Sequence, residues 1–538
     1  MISDEYCMKY ILLALILSCP YFVGQVFLYA VDDWYQPQIH SNVYSSFCED
    51  PAEHRIITHE YTGNKTTFAV SSYTELKKSV DNYLSQKDAY GIFFRYVPSH
   101  IAGKDTVRLE IEPGIYMQYA PLYPTQDLMI RILGGVDYSS HGEQNYLFLY
   151  KGLKMKARLS DHFSLDGYWW AGHFNGDRKY YIQSSLIDGF VQPDDDTVYL
   201  DNLQGAIKYN NENIQVSLGR GKFQVGDNIS GSIILNNAVN DYGYLASKLI
   251  FGNLSLSFMH GALTPDENEE VDSTRVDKFI VMHKLDWEPS PTFSSFLGEE
   301  IIYGNRSLDL NYMLPHTFWR IIEHNLEDRD NVLIFGGVHW DVNKQITFYE
   351  NTLFDEFSQG KILTDWWGSK YALQAGVSYH KVKISSDSHY PNPQTSRLTF
   401  EMTAIRPWTY THFIKWNKFS NDDIALGYPL GSNMLSYAAE LDYPLRHNLL
   451  LGVHSSYTRQ GSTGNQFSLN TSDPALIPDI ENTKTKWLAG DITDTTRLKL
   501  MLEWKPLFHH AVRIGSTLSK SEDLEWAQDF TVSYRTEF

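Results

Sequence analysis

Cysteine is almost missing from this chain: 538 residues carry only Cys7, Cys19 and Cys48. Removal of an amino-terminal leader after Ala30 would leave Cys48 alone, which excludes an intramolecular disulfide. No Cys/His set has the spacing of a zinc site, and no cofactor is expected. Positive charge is also short. Lys and Arg number 45 against 65 Asp and Glu, a net charge of −20. A nucleic-acid partner is excluded on that ground, because its binding surface must be basic to displace counterions. Beyond the leader, no segment reaches the roughly 20 apolar residues of a spanning helix. Catalytic signatures are absent as well: there is no His-Glu-x-x-His, no Gly-x-Ser-x-Gly and no phosphate loop. His59-Glu60, Asp194-Asp-Asp196 and Glu299-Glu300 read as solvated loop or lumen groups, so the chain is not expected to be an enzyme. The stretch Asp266 to Asp272 lacks the glycine and alternation of an EF-hand loop and reads as an acidic outer loop.

Aromatic residues are abundant, at 14% with 36 Tyr, 28 Phe and 13 Trp. Transmembrane β-barrels use such side chains as girdles where lipid meets water. A mean hydropathy of −0.34 suits a barrel, in which only alternate strand residues face lipid. The carboxy-terminus shows that alternation. Phe530, Val532, Tyr534 and Phe538 fall on one parity, with Asp529, Thr531, Ser533, Arg535 and Glu537 on the other. A strand sends successive side chains to opposite faces, so this reads as the closing strand of an outer-membrane barrel. The terminal aromatic resembles the signal read by the barrel-assembly machinery, an expected partner alongside outer-membrane lipid.

The amino-terminus reads as a secretory leader, with Lys9 ahead of an apolar run and a cleavage point after Ala30. A lipoprotein box at Ile16 to Cys19 is the alternative. Residues 1–30 are therefore assigned as signal and 31–105 as a partly helical periplasmic cap or plug. In the latter, the capping box Ser72-Tyr-Thr-Glu75 opens a helix through about Ser85. Residues 106–538 are assigned as the barrel.

From about Val107 the pattern is strand, turn, strand, giving about eighteen strands and an all-β antiparallel barrel. Tight connections such as Gly252-Asn253 alternate with long links at 174–198, 224–243, 262–274, 304–330, 352–368, 382–395, 419–432 and 460–494. Short periplasmic turns and long outer loops produce this asymmetry in outer-membrane barrels. Strand parity places Arg397, Glu401, Glu440, Asp442, Arg497, Lys499 and Glu503 in the lumen. A charge facing lipid at the bilayer midplane costs about 2–4 kcal/mol for Arg or Lys.

Three stretches carry a family resemblance: Leu218-Gly-Arg-Gly to Ala238; Tyr312-Met-Leu-Pro315 with Asp328 to Asn331; and Glu401 to His412 with Leu426-Gly-Tyr-Pro-Leu-Gly-Ser-Asn433. Together they resemble the Wzi capsule-assembly family, in its Bacteroidetes-type form, over about residues 150–460. The resemblance implies an 18-stranded barrel in the outer membrane of a Gram-negative cell, closed by a helical element and holding capsular polysaccharide at the surface. The chain departs from the family at its amino-terminus, where one helix stands in place of a bundle.

Among the motif residues, Gly219, Gly221 and Gly226 allow bends or close backbone approach. Asp227 belongs to the same motif. Arg220, Glu401 and Arg406 are candidates to pair within the lumen. Gly427, Pro429 and Gly431 shape a turn into the next strand, and Asn433 ends the same motif. Sugar recognition needs aromatic platforms and planar polar groups, and the long links offer His316, Trp319, Arg320, Trp366, Trp367, Tyr390, Asn392 and Trp416. Each also reads as girdle or loop core. The expected function is a non-catalytic, lectin-like anchor for surface polysaccharide; a porin or uptake channel is the alternative.

Overall fold

The computed structural model describes residues 94–537 apart from 102–103, 112–114, 120–126, 142–143, 161, 177–189, 195–196, 267–268, 272–273, 328, 356–359, 362, 384–393, 447–448, 470, 508–509 and 522–524. The leader, the helix expected over 72–85, Tyr390, Asn392 and Phe538 lie outside the described residues.

Eighteen long strands close into one antiparallel barrel. In chain order they are β1 (Asp127–His141), β2 (Gln144–Arg158), β3 (Phe163–Asn175), β4 (Thr197–Asn210), β5 (Ile214–Gly221) and β6 (Tyr242–Phe251). Then come β7 (Leu254–Leu263), β8 (Lys278–Ser290), β9 (Phe293–Gly304), β10 (Asn331–Asn343), β11 (Ile346–Phe354) and β12 (Tyr371–Lys383). The circuit ends with β13 (Gln394–Ile405), β14 (Met434–Arg446), β15 (Leu449–Gly461), β16 (Ile492–Leu507), β17 (His510–Ser521) and β18 (Ala527–Glu537). β18 returns to β1, with Ser533 opposite Asp137 and Arg535 opposite Gly135. Closure leaves no unpaired edge in a solvent that cannot satisfy one.

The barrel starts at Asp127, not at residue 106. The strands Phe94–Ile101, Lys104–Ile111 and Ile115–Tyr119 pair only with one another. The expected division at 105/106 thus falls inside a strand of this separate sheet.

The two faces of the wall separate by parity. On β16, Leu500 and Trp504 are exposed on the outside while Met501 and Glu503 are buried inside. On β18, Phe530 is exposed outward while Ser533 and Arg535 are buried inward. Arg397, Glu401, Glu440 and Asp442 are buried on the lumen face. Arg397 Nη2 lies 2.6 Å from both Glu440 and Asp442, and Arg513 pairs with Glu503. Arg497 and Lys499 share the inward parity of β16 and stay exposed there. The expected lumen assignments hold.

Seven long links gather at one end of the barrel: 176–196, 222–241, 264–277, 305–330, 355–370, 406–433 and 462–491. Tight turns lie at the other end, including Gly252-Asn253, where Gly252 takes φ +65. The link 384–393 joins β12 to β13 at this short-turn end. By the direction of β12 and β13 it is not an outer link, which corrects its expected place.

Two of the long links turn into the barrel. Val225 pairs with Leu235 inside the first of them, and its Ile233, Ile234 and Leu235 are fully buried. Tyr410, Phe419, Leu426 and Tyr428 of the second pack with them. They meet the inward side chains of β6 to β14, among them Met259, Ile280, Ile302, Phe335 and Leu353. The lumen beside these strands is therefore a dry apolar core, stabilised as a soluble interior would be.

Candidate functional site at the long-link end

The link 222–241 is anchored to the far wall by polar bonds. The Ile229 amide donates to Glu401 at 2.8 Å, and Tyr349 hydroxyl donates to the same carboxyl oxygen at 2.6 Å. Asp227 lies 2.6 Å from His339. Gln374 donates to the Gly231 carbonyl at 2.9 Å. Gly226 takes φ +84 and sits so close to Asn351 that a Cβ would lie 2.5 Å from its side-chain oxygen. A side chain there would displace the link as well as strain its backbone.

The expected lumen grouping of Arg220, Glu401 and Arg406 does not form. Arg220 has the outward parity of Leu218 on β5 and is exposed. Arg406 follows the end of β13, where it is fully buried among loop carbonyls. Its guanidinium donates to Ser369 O at 3.2 Å and to Thr485 O at 2.9 Å. It thereby ties together the links 355–370, 406–433 and 462–491. Arginine suits this role because its fork offers several donors in a fixed plane.

Of the remaining motif residues, Asn433, Gly431 and Gly427 serve these links, while Gly219 lets two strands approach. Asn433 takes φ +55 and donates to the carbonyls of Thr463 and Ala489 at 2.8 and 2.9 Å. Gly431 packs against the Asn465 carbonyl, Gly427 against the Tyr410 ring, and Gly219 against Ala206 of the neighbouring strand. They position backbone.

The tie point carries an aromatic cluster that includes Trp366, Trp367, Trp408 and Ile477. Both Trp366 and Trp367 donate to the Ile480 carbonyl, Trp366 at 3.0 Å. Lys361 lies 4.7 Å from the centre of the Trp366 ring. Trp487 crosses Tyr371 edge-on at 5.7 Å, and Arg406 lies 5.6 Å from the Trp487 ring. Trp366, Tyr371 and Trp487 are half-buried, so part of each remains open. Trp408, Tyr371 and Trp487 were not singled out from sequence; a Trp count in the long links finds Trp487 but not its neighbours.

The six described sugar-binding candidates do not form one site. Trp366 and Trp367 stand in the cluster. Trp416 is in the inward-folded link against Gly304. His316, Trp319 and Arg320 lie on the outer wall of the barrel. Trp319 is fully buried, stacked on His283 at 4.1 Å with its indole donating to Leu314 O at 3.1 Å. No face is left for a sugar, so Trp319 is core.

Two carboxylates of the acidic stretch are also committed. Asp266 and Glu269 are buried, and Glu269 bonds Lys278 at 3.0 Å, with Lys418 3.5 Å from Asp266. Burial holds the Glu269 carboxyl above its usual range. Among the described residues, no three His, Cys, Asp or Glu side chains converge as a metal site.

A closed barrel with an apolar outer wall, a polar and partly filled lumen and long links at one end defines an outer-membrane β-barrel protein. No protein-family profile matches the chain, and no curated protein matches it. Among solved structures it is similar to Wzi, described as a carbohydrate-binding outer-membrane barrel involved in group 1 capsule assembly in Escherichia coli. The identity is 12% and the TM-score 0.46, covering 76% of this chain and 84% of that one. It is also similar to Pseudomonas aeruginosa OprD, at 10% identity and TM-score 0.42 over 84% and 97% of the two chains. Pseudomonas aeruginosa OccK5 (OpdH) gives 9% and 0.43 over 78% and 99%. Function does not follow from a shared barrel.

Proposed function

We propose that the protein holds an exported polysaccharide at the long-link end of the barrel, without catalysis. The observation that carries this reading is the pair of links folded across the lumen into a dry core, which narrows the aqueous path an eighteen-stranded wall would enclose. Trp366 and Trp487 of the links tied by Arg406 meanwhile stand half-open beside Tyr371 at the start of β12. Aromatic faces suit the apolar faces of sugar rings. The motif resemblance in 218–238, 312–340 and 401–433 supports the same reading. The test is cell-bound polysaccharide after Trp366→Ala and Trp487→Ala are combined. Polysaccharide is expected to appear in the medium while the barrel stays heat-modifiable; full retention would reject the surface.

One observation favours a channel. Arg497 and Lys499 are exposed on the inward face of β16 and form no ion pair among the described residues. A wet, basic strip therefore persists beside β15 to β17. Planar-bilayer recordings separate the readings: open, anion-selective conductance from the unmodified protein would favour uptake over anchoring.

A further inference from the structure

The link 305–330 does not project from the rim. It folds down the outside of the wall, over strands that would otherwise face lipid. Its ends are clamped where they leave the strands: Arg306 bonds Asp330 through two bonds of 2.7 and 2.6 Å, and Tyr312 hydroxyl donates to Asp330 at 2.6 Å. Asp309 caps a short 3-10 turn at Leu310–Met313, and a helix, α1 (Trp319–Asn325), follows.

Beneath it lie outward side chains of four strands. Phe258, Val281, Ile301, Tyr303 and Val332 pack with Tyr312 and Trp319. His283 and Glu299 have the outward parity of the exposed Leu285 and Leu297. They lie 3.0 Å apart. Left bare, an ionisable pair here would face hydrocarbon at high cost. Instead Trp319 covers His283, the Pro315 carbonyl lies 2.8 Å from the His283 ring, and the Trp319 amide donates to Glu299 at 2.7 Å.

Away from the wall the link exposes an apolar patch, beside exposed polar residues that include Asn311, His316 and His324. Leu310, Phe318 and Ile321 are 73%, 70% and 62% exposed, with Leu308 and Leu314 beside them. This face continues the exposed belt of Leu285, Trp287 and Leu297 on the strands it covers.

We propose that residues 305–330 form a strap embedded in the outer leaflet, with Leu310, Phe318 and Ile321 docked against lipid acyl chains while its inner face seals the His283–Glu299 pair. The segment is apolar on the side that packs on the wall and carries exposed apolar residues on the other, which suits a segment whose solvent is lipid.

The test uses the full-length protein with its cysteines replaced by serine, and single cysteines placed as Phe318→Cys, Ile321→Cys, Leu297→Cys and Asn343→Cys. Each is coupled to an environment-sensitive fluorophore and reconstituted in vesicles of brominated-acyl phosphatidylcholine. Positions 318 and 321 carry exposed side chains, and heat-modifiable migration checks the barrel in each variant. Quenching at 318 and 321 is expected to come within about twofold of that at 297, with 343 at the short-turn end unquenched. Quenching at 318 and 321 no greater than at 343 would overturn the proposal, placing the strap in water. Weak quenching with efficient cross-linking between copies through 318 or 321 would overturn it too, since a second barrel would then cover this face.

Discussion

The Ile229 amide and the Glu401 carboxyl, 172 positions apart in sequence, meet at 2.8 Å inside the barrel. One belongs to the link after β5, the other to β13 on the far wall. Their bond is one of those that hold the crossing segment, which fills part of the lumen.

Replacing Glu401 with alanine removes the acceptor shared by Ile229 and Tyr349. A buried donor left without a partner costs about 1–3 kcal/mol. The link is then expected to loosen, and single-channel conductance in planar bilayers to rise well above that of the unmodified protein. Unchanged conductance with an intact barrel would show that the apolar core and the remaining polar bonds hold the link without Glu401.

Arg397 neutralises Glu440 and Asp442 together. Arg397→Ala strands two buried carboxyl groups, and breaking such a pairing costs about 3–5 kcal/mol. Urea unfolding in vesicles should show a loss of that order, partly recovered by adding Glu440→Gln and Asp442→Asn. A loss well under 1 kcal/mol would mean that lumen water screens the group.

Trp319→Ala separates the wall from the outer surface. Removing a fully buried Trp costs about 3–5 kcal/mol, so the unfolding midpoint should fall. Cell-bound polysaccharide per folded barrel should stay level, because the ring is closed to sugars. A selective loss of retention with unchanged stability would restore Trp319 as a contact residue.

Arg406→Ala should release the links it ties. The carbonyls of Ser369 and Thr485 lose their donor, and limited proteolysis is expected to cut within 462–491 much faster while the strands stay protected. Arg406→Lys should rescue only in part, since one ammonium cannot reproduce the planar fork. Equal protection in both variants would place the hold elsewhere.

What the sequence determined by itself was the wall. Alternation along a strand is a local property with a period of two, so Leu500 against Glu503 and Phe530 against Arg535 could be assigned a face without coordinates. The rhythm of tight turns and long links pointed to about eighteen strands, because each hairpin needs a local turn signal. Tertiary structure alone decided where the links go. Length alone could not show at which end β12 meets β13, because a long link occurs here at the short-turn end too. Glu299 and Glu300 look alike in sequence; the first lies on the outer wall under Trp319, the second inside the lumen. Ile233, Tyr410 and Leu426 share a core despite lying in two separate links. Apolar burial has no direction and no preferred sequence distance, so the partner of such a segment is set by the closed wall around it.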